Sequence, residues 1–313
     1  MRKSLLVGST FRDAQADQLQ WLDLQLRYLR TTTSRGTYSH CCVVNEKSRV
    51  ISVGEDPVPG DLGKFEAKTT VIDDGSSFDT RAELSPTSSI HIHSLNRLLS
   101  YFKDNQNDYE YFLFLDGDAF PIRNHWFQHL SGIMSRLSRS AAAVVRSEAL
   151  ERRWHASVLL VHHSALDLLQ FSLASVEGGD MASFQELDVG IGSLQTTLSS
   201  KVFPLIRTNR YNLHPLSYGV YYDMFYHHGF SGKRHLRGGK ELKHPWFSLL
   251  GRSKHGYSLH YIDQDYSWEQ DTVALMNDPQ AFINKLAGWS PGHYADLELE
   301  KRREKQRERR NWY

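Results

Sequence analysis

The chain has 313 residues, 40% hydrophobic and 23% charged, with 37 Lys and Arg against 36 Asp and Glu for a formal net charge of +1. That length allows one large α/β domain or two lobes sharing a sheet, and the near-neutral balance excludes a global nucleic-acid signature. The two cysteines, Cys41 and Cys42, are adjacent, which excludes a disulfide framework and reads as a buried strand in a reducing compartment.

The apolar run in MRKSLLVGSTFRD is too short for a signal peptide, and no later run is long enough to span a bilayer, so the expected location is cytoplasmic. Residues 4–7 form a first expected strand, followed by the loop GSTFRD. Leu19, Leu22, Leu26 and Leu29 recur at helical spacing and predict a helix over 13–30. A second strand is expected at 40–45, then a Gly/Pro-rich loop over 51–66. A third strand at 69–72 runs into DDGSS. Residues 88–102 are read as helix, with Ile92, Leu95, Leu98 and Leu99 on one face. Short strands alternating with amphipathic helices predict a mostly parallel sheet flanked by helices.

The fourth strand carries the strongest signal. EYFLFLDGDAFPI at 110–122 is a buried-strand run ending on two carboxylates, Asp116 and Asp118, with no Lys or Arg before Arg123. Strands of α/β sheets open at their C-terminal ends into the ligand crevice. Paired carboxylates there repel one another unless a cation occupies the site. Hard divalent ions such as Mg2+ or Mn2+ take oxygen ligands and keep positions open for substrate phosphates. The competing reading is an ordinary Asp-Gly turn.

The second half is less regular. AAAVV at 141–145 and SVLLVH at 157–162 read as strands and 164–176 as helix. Residues 204–232 carry many aromatics and histidines with little periodicity, as an active-site loop region would. LELEKRREKQRERR at 297–310 reads as a solvated charged helix without an apolar face; a peripheral contact with acidic lipid or a partner is its minority reading.

VIDDGSSFDT at 71–80, a helix carrying Asn96, and FLFLDGDAF at 112–120 together resemble the nucleotide-binding half of GT-A glycosyltransferases, especially family-two enzymes. The resemblance implies a Rossmann-like GT-A fold, with residues 1–130 as the nucleotide-sugar-binding half. Residues 131–235 would be the acceptor and catalytic half, and 236–313 a C-terminal extension ending in the charged helix. It implies a metal-dependent transferase moving a sugar from a nucleotide-sugar, of the UDP-sugar class, to a glycan or glycolipid hydroxyl. Its cofactor would be Mn2+ or Mg2+.

Residue by residue, the resemblance makes Asp118 a direct metal ligand, with Asp116 on the ribose or reaching the metal through water. Asp73 and Asp74 would accept hydrogen bonds from the base or ribose. The loop after the first strand, with Ser9 and Arg12, would hold the base and approach a phosphate. YGVYYDMFYHHGFSGK at 218–233 resembles the C-terminal His of several GT-A enzymes, making His228 a nitrogen ligand, and its neighbour His227 is expected to point elsewhere. The spacing from His228 to Lys233 is also similar to retaining family-eight enzymes, where such a Lys holds the diphosphate. Asp188 in FQELDVGIGS is the expected general base, with Glu186 as alternate. Arg146 and Trp154 are expected to line the acceptor pocket. Stereochemistry stays open, with inversion favoured.

Two other classes compete. Haloacid-dehalogenase-type phosphatases also end an apolar strand on Asp-x-Asp, usually near the N-terminus and followed by Thr or Val rather than Ala119-Phe120. A non-catalytic GT-A-like domain would keep Asp116 and Asp118 but lack a working base.

Overall fold

Phe and Leu alternate along residues 112–115, and this part of the strand is buried on both faces. The structure, a computed structural model, describes residues 2–11, 16–44, 49–55, 86–146, 153–174, 188–190, 199–208, 219–228 and 268–286. The first part contains β1 (Lys3–Phe11), α1 (Ala16–Thr32), β2 (Tyr38–Val44), β3 (Arg49–Glu55), α2 (Pro86–Asp104), β4 (Tyr109–Asp116) and β5 (Ala119–Pro121). The middle contains α3 (Trp126–Arg136), β6 (Ala141–Arg146), β7 (Arg153–His162), a 3-10 helix (His163–Leu168), β8 (Ser172–Ala174), β9 (Asp188–Gly190) and β10 (Val202–Leu205). There follow β11 (Gly219–Tyr221), β12 (Phe225–His227), α4 (Trp268–Asn277) and α5 (Pro279–Leu286).

Among the described residues the large sheet has nine strands, ordered β10-β6-β7-β4-β1-β2-β3, with β9 joining at β7 and β8 pairing β9. β1 pairs in parallel with β2 and β4, and β10 with β6. β3 runs against β2, and β7 runs against β4 and β6. Thus β1, β2, β4, β6 and β10 share one direction, and the fold is a mixed α/β arrangement with a mostly parallel central sheet. A second sheet of three antiparallel strands, β11-β12-β5, begins where β4 ends.

Alternation along β4 builds two layers at once. Phe112 and Phe114 pack with Leu95, Leu98 and Phe102 of α2, the Phe102 and Phe114 rings lying 4.6 Å apart. Leu113 and Leu115 pack on the other face with Trp126, Leu130 and Met134 of α3. Each such buried side chain contributes about 1.5–3 kcal/mol relative to exposure. A third cluster joins Trp21, Leu22 and Leu26 of α1 to Phe120, Tyr226 and Phe282.

Several sequence expectations change. GST at 8–10 belongs to β1 rather than to a loop, because Gly8 lets α2 lie against the strand: a Cβ there would sit 2.5 Å from Leu98 Cδ1. Residues 51–55 are part of β3 rather than a loop, paired with β2. Of the helix expected over 164–176, the described residues form a 3-10 helix and then β8, since pairing with β9 takes over 172–174. The supposed loop region 204–232 contains β11 and β12 and part of β10. Cys41 and Cys42 are free and buried in β2, as expected, and burial pushes the Cys42 thiol up to about 12. The third expected strand, its Asp73 and Asp74, and the charged stretch 297–310 lie outside the described residues. No helix among the described residues is long and apolar enough to cross a membrane.

Candidate metal and donor site

The site forms where the two sheets meet. β4 runs out at Asp116, Gly117 turns the chain, and Asp118 leads directly into β5. β12 pairs with β5 so that His227 stands opposite Ala119, and His228 N donates to Asp118 O at 3.0 Å. Gly117 is required by packing, since a Cβ would lie 2.7 Å from the Phe11 ring and 2.9 Å from the Thr10 carbonyl.

Asp116, Asp118 and His227 are all buried, and one ligand atom from each lies within 4.8 Å of the others. His227 Nε2 is 3.3 Å from Asp118 Oδ1 and 3.5 Å from Asp116 Oδ2. Two further histidines approach Asp116. His91 of α2 brings Nε2 to 3.1 Å from Asp116 Oδ1, and His155 of β7 places its ring 6.0 Å from that of His227. Ser157 N donates to His155 Nδ1, which leaves the ring proton on Nε2 when the imidazole is neutral.

Burial pushes both carboxyl groups upward, but the histidines outweigh it. His91, then His227 and His155, hold Asp116 well below the usual carboxylate range. Asp118 is also lowered, chiefly by His227 against the opposing charge of Asp116. Both are therefore ionised at neutral pH. Asp116 Oδ1 is buried and no hydrogen bond closes on it, so His91 is a near neighbour off the hydrogen-bond line. Two buried carboxylates and an imidazole, with ligand atoms within 4.8 Å of one another, are a donor set that fits a divalent cation. The imidazole suits Mn2+ better than Mg2+.

His227, not His228, meets the carboxylates. Successive residues of a strand face opposite sides, and His228 shares the Tyr226 side. Its Nδ1 bonds the Tyr226 hydroxyl at 2.7 Å and its Nε2 the Thr272 hydroxyl at 3.0 Å, while its ring lies 4.9 Å from Trp21. Both nitrogens are thus engaged in the core, and burial lowers the imidazole to about 3.

Ser9 is likewise a core residue rather than a nucleotide contact. Its hydroxyl donates to Gln25 Oε1 and touches His40 Nε2 at 3.0 Å. Gln25 Nε2 in turn donates to the carbonyls of Asp116 and Ala119, so this chain of bonds braces the Asp-Gly-Asp turn from behind. Asn96 has a similar structural task, exchanging hydrogen bonds with the backbone of Phe171.

Other expected residues come to the same edge. β7 runs against β4, so its N-terminal residues, including half-buried Trp154, lie at the end where β4 stops. Arg146 closes β6 at that edge, opposite Arg153. Asp188 begins β9, whose Gly190 stands opposite His155. Arg12, Asp73, Asp74, Glu186 and Lys233 lie outside the described residues. His91 and His227 were not foreseen as site residues, and His155 was read only as a residue that could line the acceptor pocket. β12 is too short for alternation to register, and PTSSIHIHSLN reads equally as an exposed helical turn.

No protein-family model matches the chain, and no curated protein matches it. Among solved structures, one similar chain is a glycosyltransferase involved in the glycosylation of the major capsid of PBCV-1, at 10% identity and a TM-score of 0.31, covering 53% of this chain. The match spans 63% of that chain, under two thirds of its length. Another is A197 from STIV, at 9% identity and a TM-score of 0.32, covering 73% of this chain and 94% of that one. At these scores neither likeness carries weight for fold or function.

Proposed function

We propose that the protein is a metal-dependent glycosyltransferase of GT-A type, moving a sugar from a nucleotide-sugar, of the UDP-sugar class, to a hydroxyl of a glycan or glycolipid. The observation that supports this reading is the buried Asp116–Asp118–His227 group at the C-terminal end of β4, the edge where α/β sheets bind their ligands.

In this reading Asp118, His227 and Asp116 hold Mn2+ or Mg2+. When bound, the cation offsets the charge of the departing nucleoside diphosphate. His227 takes the role that the sequence assigned to His228. Asp73, Asp74 and Arg12 serve the base, ribose and phosphate, and Lys233 the diphosphate. Asp188 accepts the proton of the acceptor hydroxyl as its oxygen bonds the anomeric carbon and the bond to the diphosphate breaks, which inverts the configuration; Glu186 is the alternate base. Arg146 and Trp154 line the acceptor side, where the Trp indole offers an apolar face to a sugar ring.

A thermal-shift panel of nucleoside diphosphates with and without Mn2+ tests this directly. A ligand at a hundred times its dissociation constant adds about 2.7 kcal/mol of stability. The expected result is a Mn2+-dependent shift with one diphosphate and slow donor hydrolysis without acceptor. Binding that leaves the sugar nucleotide intact under all conditions points to a non-catalytic module. Hydrolysis of a generic aryl phosphate that is lost in Asp116→Asn points to a phosphatase. No shift with any diphosphate overturns the donor assignment.

A further inference from the structure

His91 touches the site from an element that the Asp-x-Asp signature does not include. α2 ends beside the start of β1, where Lys3 N donates to Asp108 O, so its first turns lie at the opposite edge, where β4 stops. There His91 Nε2 lies 3.1 Å from Asp116 Oδ1 and 3.2 Å from Thr10 Oγ1. Thr10 is the register partner of Asp116 in the β1–β4 ladder. Three elements, α2, β1 and β4, therefore meet at His91, which bridges Thr10 and the Asp116 carboxylate.

The two oxygens of Asp116 have different neighbours. Oδ1 lies against His91, and Oδ2 faces His227 and the side shared with Asp118. The torsion that turns the carboxylate is soft and broad, so the Asp side chain alone does not fix the plane in which an oxygen meets the cation. We infer that His91 is a positioning residue: its ring, packed against Asp116 Oδ1, fixes the plane of the carboxylate so that Oδ2 faces the position shared with Asp118 and His227, and Thr10 keeps the His91 ring in place. This rests on the proposed metal-binding reading of that group. His91 touches neither substrate nor the reacting atoms and acts only through Asp116. Partners of this kind, one shell behind a metal ligand, typically change metal affinity about 10- to 100-fold when removed.

The test is Mn2+ affinity of the full-length protein, read by electron paramagnetic resonance of the unbound ion, with thermal unfolding recorded for each variant. His91→Ala is expected to weaken Mn2+ by about 10- to 100-fold, while His91→Gln, which keeps a polar side chain of similar reach against the carboxylate, stays within a few-fold of wild type. Should the Ala variant fail to fold, the Gln variant and Thr10→Val still decide. Thr10→Val is expected to weaken Mn2+ less than His91→Ala and to add nothing once His91 is gone, as members of one chain of contacts are non-additive. Unchanged affinity in His91→Ala overturns the inference. Equal losses in the Ala and Gln variants also overturn it, because a direct ligand rather than a positioning group behaves so. Asp118→Ala separates this failure from failure of the metal site: if wild type binds Mn2+ and Asp118→Ala does not, the site stands whatever His91 does. If wild type and Asp118→Ala bind Mn2+ alike, the site reading falls and the inference with it.

Discussion

β4 delivers Asp116 and Asp118 from the middle of a nine-stranded sheet, with parallel β1 on one side and antiparallel β7 on the other. His227 arrives on a sheet of three strands, each three residues long, whose register against β5 depends on a few backbone bonds. The large sheet owes its placement to helices packed on both faces. The small sheet owes its placement to the turn through Gly117, to Phe225 packed on Trp126 of α3, and to the contacts of Tyr226 and His228 with α1, α4 and α5. The difference teaches where each property resides: the carboxylates are as secure as the core, whereas the nitrogen ligand depends on a local register that one residue of slip would reverse.

The largest effect expected from this contrast is on metal binding. Asp118→Ala and His227→Ala should each lower Mn2+ affinity by more than about 100-fold, beyond what an outer-shell change produces, with little loss of thermal stability. Calorimetric titration with Mn2+ checks this. Equal retention of affinity in both variants breaks the assignment of the site to the junction of the two sheets.

His228→Ala should do the reverse. It removes a fully buried side chain and its hydrogen bonds to Tyr226 and Thr272, so denaturant unfolding should show a loss of about 2–4 kcal/mol. Under conditions where the variant is folded, its Mn2+ affinity should stay within several-fold of wild type. A variant that unfolds normally but loses Mn2+ would return the ligand role to His228.

Gly117→Ala addresses the hinge between the sheets. Its Cβ would press on the Phe11 ring and the Thr10 carbonyl, and overpacking of this kind costs about 1–3 kcal/mol. Because the displaced segment carries both carboxylates, Mn2+ affinity should fall along with stability, unlike in His228→Ala.

A graded effect, spread over several pH units, belongs to the large sheet alone. His40 of β2 is buried, and burial lowers its imidazole to about 3 from an ordinary 6.5. Between those values the unfolded chain takes up a proton that the folded chain refuses, so stability is complete above pH 6.5 and declines as pH falls toward 3. The slope approaches about 1.4 kcal/mol per pH unit in the middle of that window. Unfolding of wild type and His40→Gln as a function of pH checks this: the Gln variant should show a shallower acid slope, and identical slopes would exclude His40 as a source.

Local chemistry made much of the large sheet legible. A run such as YFLFL can only be buried, and leucines at helical spacing mark α1 and α2 whatever surrounds them. The same locality explains the misreadings. Gly8 and Ser9 look like loop residues until α2 packs on one and Gln25 bonds the other. Residues 51–55 look like loop beside Gly54, Pro57 and Pro59 until β2 supplies a partner. Residues 164–176 look helical until β9 draws 172–174 into a strand.

By itself, then, the sequence determined that two carboxylates end a buried strand, that the chain is an α/β protein and that a histidine-rich segment follows a hundred residues later. Those are properties of short stretches, set by side-chain hydrophobicity and charge. Only the tertiary structure decided that His227 rather than His228 meets Asp118, that Ser9 braces the turn from within the core, and that His91 and His155 stand beside Asp116. The reason is physical: which face a strand residue presents is set by its register with a neighbour, and which helix turn reaches a carboxylate is set by packing across the sheet. Both depend on contacts between residues far apart in the chain, and no local pattern of side chains encodes them.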